Sequence, residues 1–263
     1  MLHPREAPTA PGINTEEGRA HASSIESQLF ALPQVRALLS AESPGPVEVR
    51  PDDAKAEVGS VPGANPSTQL PSLSTSPGHK PHYVASRPYR NYPPSKLLHS
   101  LTAGTLRGPG RFAVPPLVLT KTEAGAKADG GHAGDCYIFL HVGRSLCGYD
   151  GIVHGGLLAT ICDEALARTA FLSLPAKVGV TAELKIKYKA PTLADQFIVV
   201  KTRLVEAEGR RAKVEGVVED LQGKTLVESS ALFVQPKFAQ FLDTSLVKSA
   251  LDIDPSAPPS TRR

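Results

Sequence analysis

Proline divides this chain of 263 residues into two unlike parts. Eighteen of the 24 prolines lie in residues 1–116, and only Pro175, Pro191 and Pro236 fall between residues 117 and 250. A residue without an N–H interrupts helices and central strands, so long elements belong to the back half. The folded core is therefore expected to be mostly C-terminal.

Composition narrows the function classes. The formal net charge is only +3 and is spread without a basic tract, so attraction to a phosphate backbone is not indicated and nucleic acid is not an expected partner. Cys136, Cys147 and Cys162 form no C-x-x-C pair, which fits reduced thiols in an intracellular protein better than a disulfide framework. No apolar run approaches the ~20 residues of a membrane span. The first 25 residues set Glu6, Glu16 and Glu17 against Arg5 and Arg19, unlike an Arg-rich, acid-poor transit segment. A cytoplasmic address is expected ahead of a mitochondrial one.

Along the chain, residues 1–25 read as a disordered N-terminus and residues 26–40 as one or two short helices interrupted by Pro33. Residues 41–80 are rich in Pro, Ser, Gly and Ala, too poor in large apolar side chains to offset the entropy of ordering, and read as a flexible linker. Residues 94–107 predict a short helix ended by Gly108 and Gly110. Segments 112–121 and 135–142 read as strands, a long helix runs from about Gly155 to Phe171, and four further strands follow at 178–190, 196–208, 211–221 and 225–235. The turns "AEGRRA" and "DLQGK" join successive strands as an antiparallel meander. In "VTAELKIKYKA", Ala182, Leu184, Ile186 and Tyr188 fall on one face and Thr181, Glu183, Lys185, Lys187 and Lys189 on the other. Residues 238–263 read as a tail. The fold class is α+β, an antiparallel sheet with one long helix across it and a largely irregular N-terminal extension.

The helix carries the chemistry. At 100° per residue, Leu158, Ile161, Cys162, Ala165, Leu166 and Thr169 share one sector, the expected core side. Glu164 and Arg168 form an i,i+4 acid–base pair of the kind found on helix surfaces. Asp163 has Ala159, Thr160, Leu166 and Ala167 three or four positions away, so it lacks a helical charge partner, and it lies on a stripe of small residues through which a ligand could approach. At the helix start, Gly155 and Gly156 offer N–H groups without intrahelical partners at the positive end of the helix dipole, suitable for polarising a carbonyl. From Gly156 to Asp163 is about 10 Å at 1.5 Å per residue, too far for both to act on one carbonyl. If both serve one reaction, the aspartate comes from a second copy of the chain.

The block "GIVHGGLLATICDEA", the eighteen-residue step from Asp163 to Thr181, "TAELKIKYKAP" and "EGRRAKV" together resemble the hotdog-fold acyl-CoA thioesterases, in the branch of the phenylacetate-pathway and eukaryotic thioesterase-superfamily enzymes, over residues 94–237. The resemblance implies a sheet wrapped around a central helix and an active site at the interface of a homodimer, or of a dimer of dimers. It implies hydrolysis of acyl-CoA to a carboxylic acid and coenzyme A. Asp163 would be the general base or nucleophile, Gly155 and Gly156 the donors to the thioester oxygen, Thr181 a positioning hydroxyl, and His154 a residue shaping the start of the helix. Lys187, Lys189, Arg210 and Arg211 would contact coenzyme A, which enters as part of the substrate, so no separate cofactor is expected. Gly148 stands where some relatives carry an asparagine. The rival reading is a noncatalytic acyl-CoA-binding or scaffolding protein of the same fold. G-x-S-x-G is absent, and His141 and His154 belong to no H-E-x-x-H set, so neither a serine hydrolase nor a metal is indicated.

Overall fold

The computed structural model describes residues 10–12, 14–44, 79–90 and 94–239. The expected disorder of residues 1–9, most of the 41–80 linker and nearly all of the 238–263 tail lie outside the described residues.

The first helix, α1, spans Glu16–Ala31, with the Thr15 side chain accepting from the Gly18 N–H at its start. Leu32 then leaves helical geometry at φ −57°, ψ 127°, and α2 begins with Pro33 and ends at Leu39. Proline at the first position of a helix forfeits no hydrogen bond, so Pro33 separates two helices. The expectation of disorder up to residue 25 is corrected here: an N-cap, Glu16 and Glu17 in the first turn, and burial of Ile25 and Leu29 on the sheet hold α1 ten residues earlier. Two three-residue strands, β1 (Glu42–Pro44) and β2 (His79–Pro81), pair antiparallel and bring the two ends of the expected linker together.

The main sheet has seven strands. β3 is Tyr83–Ser86, β4 Leu117–Lys121, β5 Cys136–Val142, β8 Val180–Tyr188, β9 Gln196–Glu208, β10 Arg211–Asp220 and β11 Thr225–Val234. Their order is β3-β4-β5-β9-β10-β11-β8, antiparallel throughout. The expected meander holds for β9 to β11, but β8 pairs with β11 at the far edge rather than with β9. A small hairpin, β6 (Cys147–Tyr149) with β7 (Ile152–Val153), leads into the long helix α5, Gly155–Ser173. A short helix, α4 (Glu123–Asp129), lies between β4 and β5. Residues 94–107 do not form one helix. A four-residue α3, Pro94–Leu97, is followed by a π-turn at Leu101–Thr105, and the Leu97 carbonyl passes so close to Gly104 that any Cβ there would lie 1.9 Å from it.

The two faces of the sheet are covered differently, and alternation along each strand decides which residue goes where. Ile198 and Val200 of β9 and Val118 of β4 pack with Leu158, Ile161 and Cys162 of α5. Phe197 and Val199 of β9 and Leu117 and Leu119 of β4 pack on the opposite face with Ile25 and Leu29 of α1 and Val35 of α2. The six residues assigned to the core side of α5 are all buried. Arg168 corrects the surface pairing expected for it. It is 5% exposed, donates from Nη2 to the Ser86 hydroxyl at 2.8 Å, and makes no ion pair with Glu164, which instead accepts from Tyr89 and Thr102. β3 and the chain after it cover that side of α5, which a single-helix pattern could not disclose.

Candidate active site

His154 caps the start of α5. Its backbone is extended (φ −61°, ψ 130°), its Nδ1 accepts the Gly156 N–H at 2.9 Å, and its carbonyl accepts from Leu157 and Leu158. This capping corrects the expected pair of open amides. Gly156 is already engaged, whereas no hydrogen bond from the Gly155 N–H is found among the described residues. Gly148 belongs to the same arrangement. A Cβ there would lie 2.7 Å from His154 Cδ2, so any larger residue at 148 requires the histidine to move.

Tyr188, the last residue of β8, donates its hydroxyl to the Gly155 carbonyl at 2.7 Å, and its ring stands 3.4 Å from where a Cβ on Gly155 would be. It is 54% exposed. The sequence pattern assigned Tyr188 only to the apolar side of the strand. Its adjacency to the helix start is set by the crossing of α5 over β8 and has no local signal.

Asp163 lies half-buried in the middle of α5, and the Thr181 hydroxyl donates to its Oδ1 at 2.8 Å. None of the ion pairs among the described residues involves it. The expected face of Thr181 is corrected by a bulge. Leu232 of β11 pairs with Glu183 and Phe233 with Thr181, leaving Ala182 as the extra residue. The bulge reverses the alternation and turns Thr181 toward α5, away from the face shared by Lys185 and Lys187. Next to Asp163, burial pushes the Cys162 thiol up to about 11, opposed by a hydrogen bond with Ser229 and reinforced by the Asp163 charge. Cys162 stays protonated near neutral pH and offers no competing thiolate.

The four basic residues separate into two pairs. Arg211 opposite Val234, and Val234 opposite Val180, place Arg210 and Arg211 at the Thr181 end of β8. Lys187 pairs with Glu228, and Lys189 follows it at the Tyr188 end with Nζ 3.3 Å from Glu228 Oε1. Arg210 Nη1 donates to the Gln235 carbonyl at 2.9 Å. Lys187 lines a groove on the α1 side of the sheet with Lys185, Lys201 and Arg203. Within one chain, then, Gly155, Tyr188, Lys187 and Lys189 gather at one end of β8, and Asp163, Thr181, Arg210 and Arg211 at the other. Seven residues of strand at ~3.3 Å each, roughly 23 Å, separate Thr181 from Tyr188.

Comparison with known proteins gives this geometry a context. Residues 150–227 match the thioesterase superfamily. The chain is 36% identical over 150 residues to a UPF0644 protein of Schizosaccharomyces pombe, covering 55% of each chain. It is 30% identical over 166 residues to an uncharacterised mitochondrial protein of Candida albicans, covering 61% of this chain and 69% of that one. It is 37% identical over 94 residues to the acyl-coenzyme A thioesterase THEM4 of Mus musculus, covering 35% of this chain and 40% of that one. The match thus spans about half the length of these relatives.

Proposed function

Because this chain belongs to the thioesterase superfamily, matched over residues 150–227, and has its hotdog fold, we propose that it hydrolyses acyl-CoA to a carboxylic acid and coenzyme A at a site built from two copies of the chain. The observation that carries the reading is the Asp163 carboxylate, held by Thr181 and ion-paired with no cation among the described residues. A carboxylate placed this way is free to act on a neutral electrophile or on water.

The Gly155 N–H and the positive end of α5 polarise the thioester carbonyl, and Tyr188 holds the next peptide of that first turn through the Gly155 carbonyl. Asp163 of the other copy either takes a proton from the attacking water or attacks the carbonyl carbon itself. In the first course the C–S bond breaks, the acyl carbon keeps the oxygen of the water, and the proton passes from Asp163 to the departing thiolate; in the second, C–S cleavage leaves a mixed anhydride on Asp163 and a thiolate protonated from solvent, and water then cleaves the anhydride to release the acid and restore the carboxylate.

β8 supports the two-copy reading. It is a sheet edge of nine residues, exposed along most of its length, with Val180 and Tyr188 more than half exposed. An unpaired edge of that length invites a second strand. Antiparallel pairing of two such edges about Leu184 and Lys185 sets Thr181 of one copy opposite Tyr188 of the other. Asp163 then meets the partner's Gly155, and Arg210 and Arg211 meet the partner's Lys187 and Lys189, restoring one cationic surface for the phosphates of coenzyme A. Further association of such dimers is compatible with this pairing.

Engagement of the Gly156 amide by His154 leaves one open donor instead of two, which favours the second reading, a noncatalytic acyl-CoA-binding protein. Thiol release from acyl-CoA by the purified chain separates them. Catalysis requires release that Asp163→Ala or Asp163→Asn abolishes while dimerisation persists; binding without release, or undiminished release by either variant, removes the catalytic assignment.

A mitochondrial address is proposed over the cytoplasmic one expected from charge balance, because the Candida albicans relative is called mitochondrial. Among the described residues no helix is long and apolar enough to cross a membrane.

A further inference from the structure

On the flank of α5 turned away from Asp163, a cavity of about 90 Å³ opens between the helix, β4 and β5, and the chain that follows β3. Its walls are apolar, with Phe112, Val118, Ile138, Leu140, Ile161 and Ala165 contributing. Two arginines, Arg107 and Arg168, and one carboxylate, Glu164, also line it.

Arg168 is the unusual member. It is 5% exposed, its single hydrogen bond runs from Nη2 to Ser86, and its Nε and Nη1 find no partner among the described residues. A buried guanidinium with donors unmet is costly, and an anion that supplied acceptors there would offset that cost. Neighbouring carboxylates are committed elsewhere. Glu26 is ion-paired with Arg87, and Glu164, one turn from Arg168, accepts from Tyr89 at 2.7 Å and Thr102 at 3.1 Å. Arg107 spends Nη1 on the Val114 carbonyl at 2.9 Å. Burial, with the Arg87 charge adding to it, pushes the Arg107 pKa down to about 10, against the pull of Glu26. The cavity is thus an apolar chamber with two guanidiniums, that of Arg168 buried, against the one exposed carboxylate of Glu164.

We propose that this cavity binds a short-chain monocarboxylate, its tail against Ile138, Leu140 and Ile161 and its carboxylate on the unmet N–H groups of Arg168. The size sets the class. A cavity of about 150 Å³ accommodates benzene, so one of about 90 Å³ takes a tail of a few carbons. The charge sets the sign, since an amine of the same shape would meet two guanidiniums and a single carboxylate, Glu164, whose oxygens already accept from Tyr89 and Thr102. The site is separate from Asp163 and does not rest on the catalytic reading.

Isothermal titration of the full-length protein with butanoate, butan-1-ol and butylamine tests this. Butanoate is expected to bind at least ten-fold more tightly than either neutral or cationic counterpart, because a hydrogen bond to a charged group contributes about 1.5–3 kcal/mol, or ten-fold and more. Arg168→Met should weaken butanoate binding by at least ten-fold. Ala165→Leu, which keeps the arginine and fills the chamber, should abolish it, so the proposal does not depend on how well the Arg168 variant folds. Asp163→Asn should bind butanoate as the parent does. No butanoate binding, equal affinity for butan-1-ol, undiminished binding by Ala165→Leu, or loss of binding in Asp163→Asn would each overturn the proposal.

Discussion

A carboxylate on a helix with no ion-pair partner among the described residues needs something to fix its rotamer, and Thr181 supplies a hydroxyl to Asp163 at 2.8 Å. Removing that hydroxyl as Thr181→Val should lower kcat for acyl-CoA by roughly ten-fold or more with little change in KM, the loss expected for one hydrogen bond to a charged group. Thr181→Ser should restore most of it, and equal kcat for both variants would remove Thr181 from the site. His141 gives a second test. It is 7% exposed, packs edge-on against Phe197 at 5.2 Å, and burial holds its pKa below the ordinary value, against the opposite pull of Asp195. The unfolded chain therefore takes up a proton near pH 6.5 that the folded chain refuses. Stability is full above that pH and falls as pH drops toward the lowered folded value. His141→Phe should flatten this slope in denaturant unfolding between pH 7.5 and 5.5. At this scale Asp163 was legible because it broke a local rule. Arg168 was not, because an i,i+4 acid–base pair looks the same on a surface and beside a cavity.

At the scale of elements, periodicity placed α5 and the strands from β8 to β11 within a few residues of where they lie. Local alternation could not say that β8 pairs with β11, nor that the Ala182 bulge would turn Thr181 inward, because both depend on a strand some fifty residues downstream. The helices α1 and α2 were only half visible. Ile25, Leu29 and Val35 are sparse in the sequence, and their burial comes from the second apolar face of β4, β5 and β9. Leu29→Ala, at a residue 1% exposed, should destabilise the fold by about 2–5 kcal/mol yet leave kcat at 20 °C near that of the parent, since α1 lies on the face opposite α5. A collapse of kcat with the folded population unchanged would tie the N-terminal helices to the site.

For the whole molecule, the proposed site is divided: one chain carries its two halves at opposite ends of β8, and the proposal requires a two-fold partner to bring them within reach. Two substitutions isolate the halves. Asp163→Asn removes the carboxylate. Gly155→Pro removes one N–H at the first position of α5, where proline is well tolerated and where the extended His154 backbone already suits a following proline. Each variant alone should be inactive as a homodimer. Unfolded together, refolded at equal amounts and assayed for thiol release, they should recover about a quarter of parental activity, since half of randomly formed dimers are mixed and each mixed dimer holds one intact site of two. No recovery from mixtures shown to contain the mixed dimer would contradict the shared site and return Gly155 and Asp163 to a single chain.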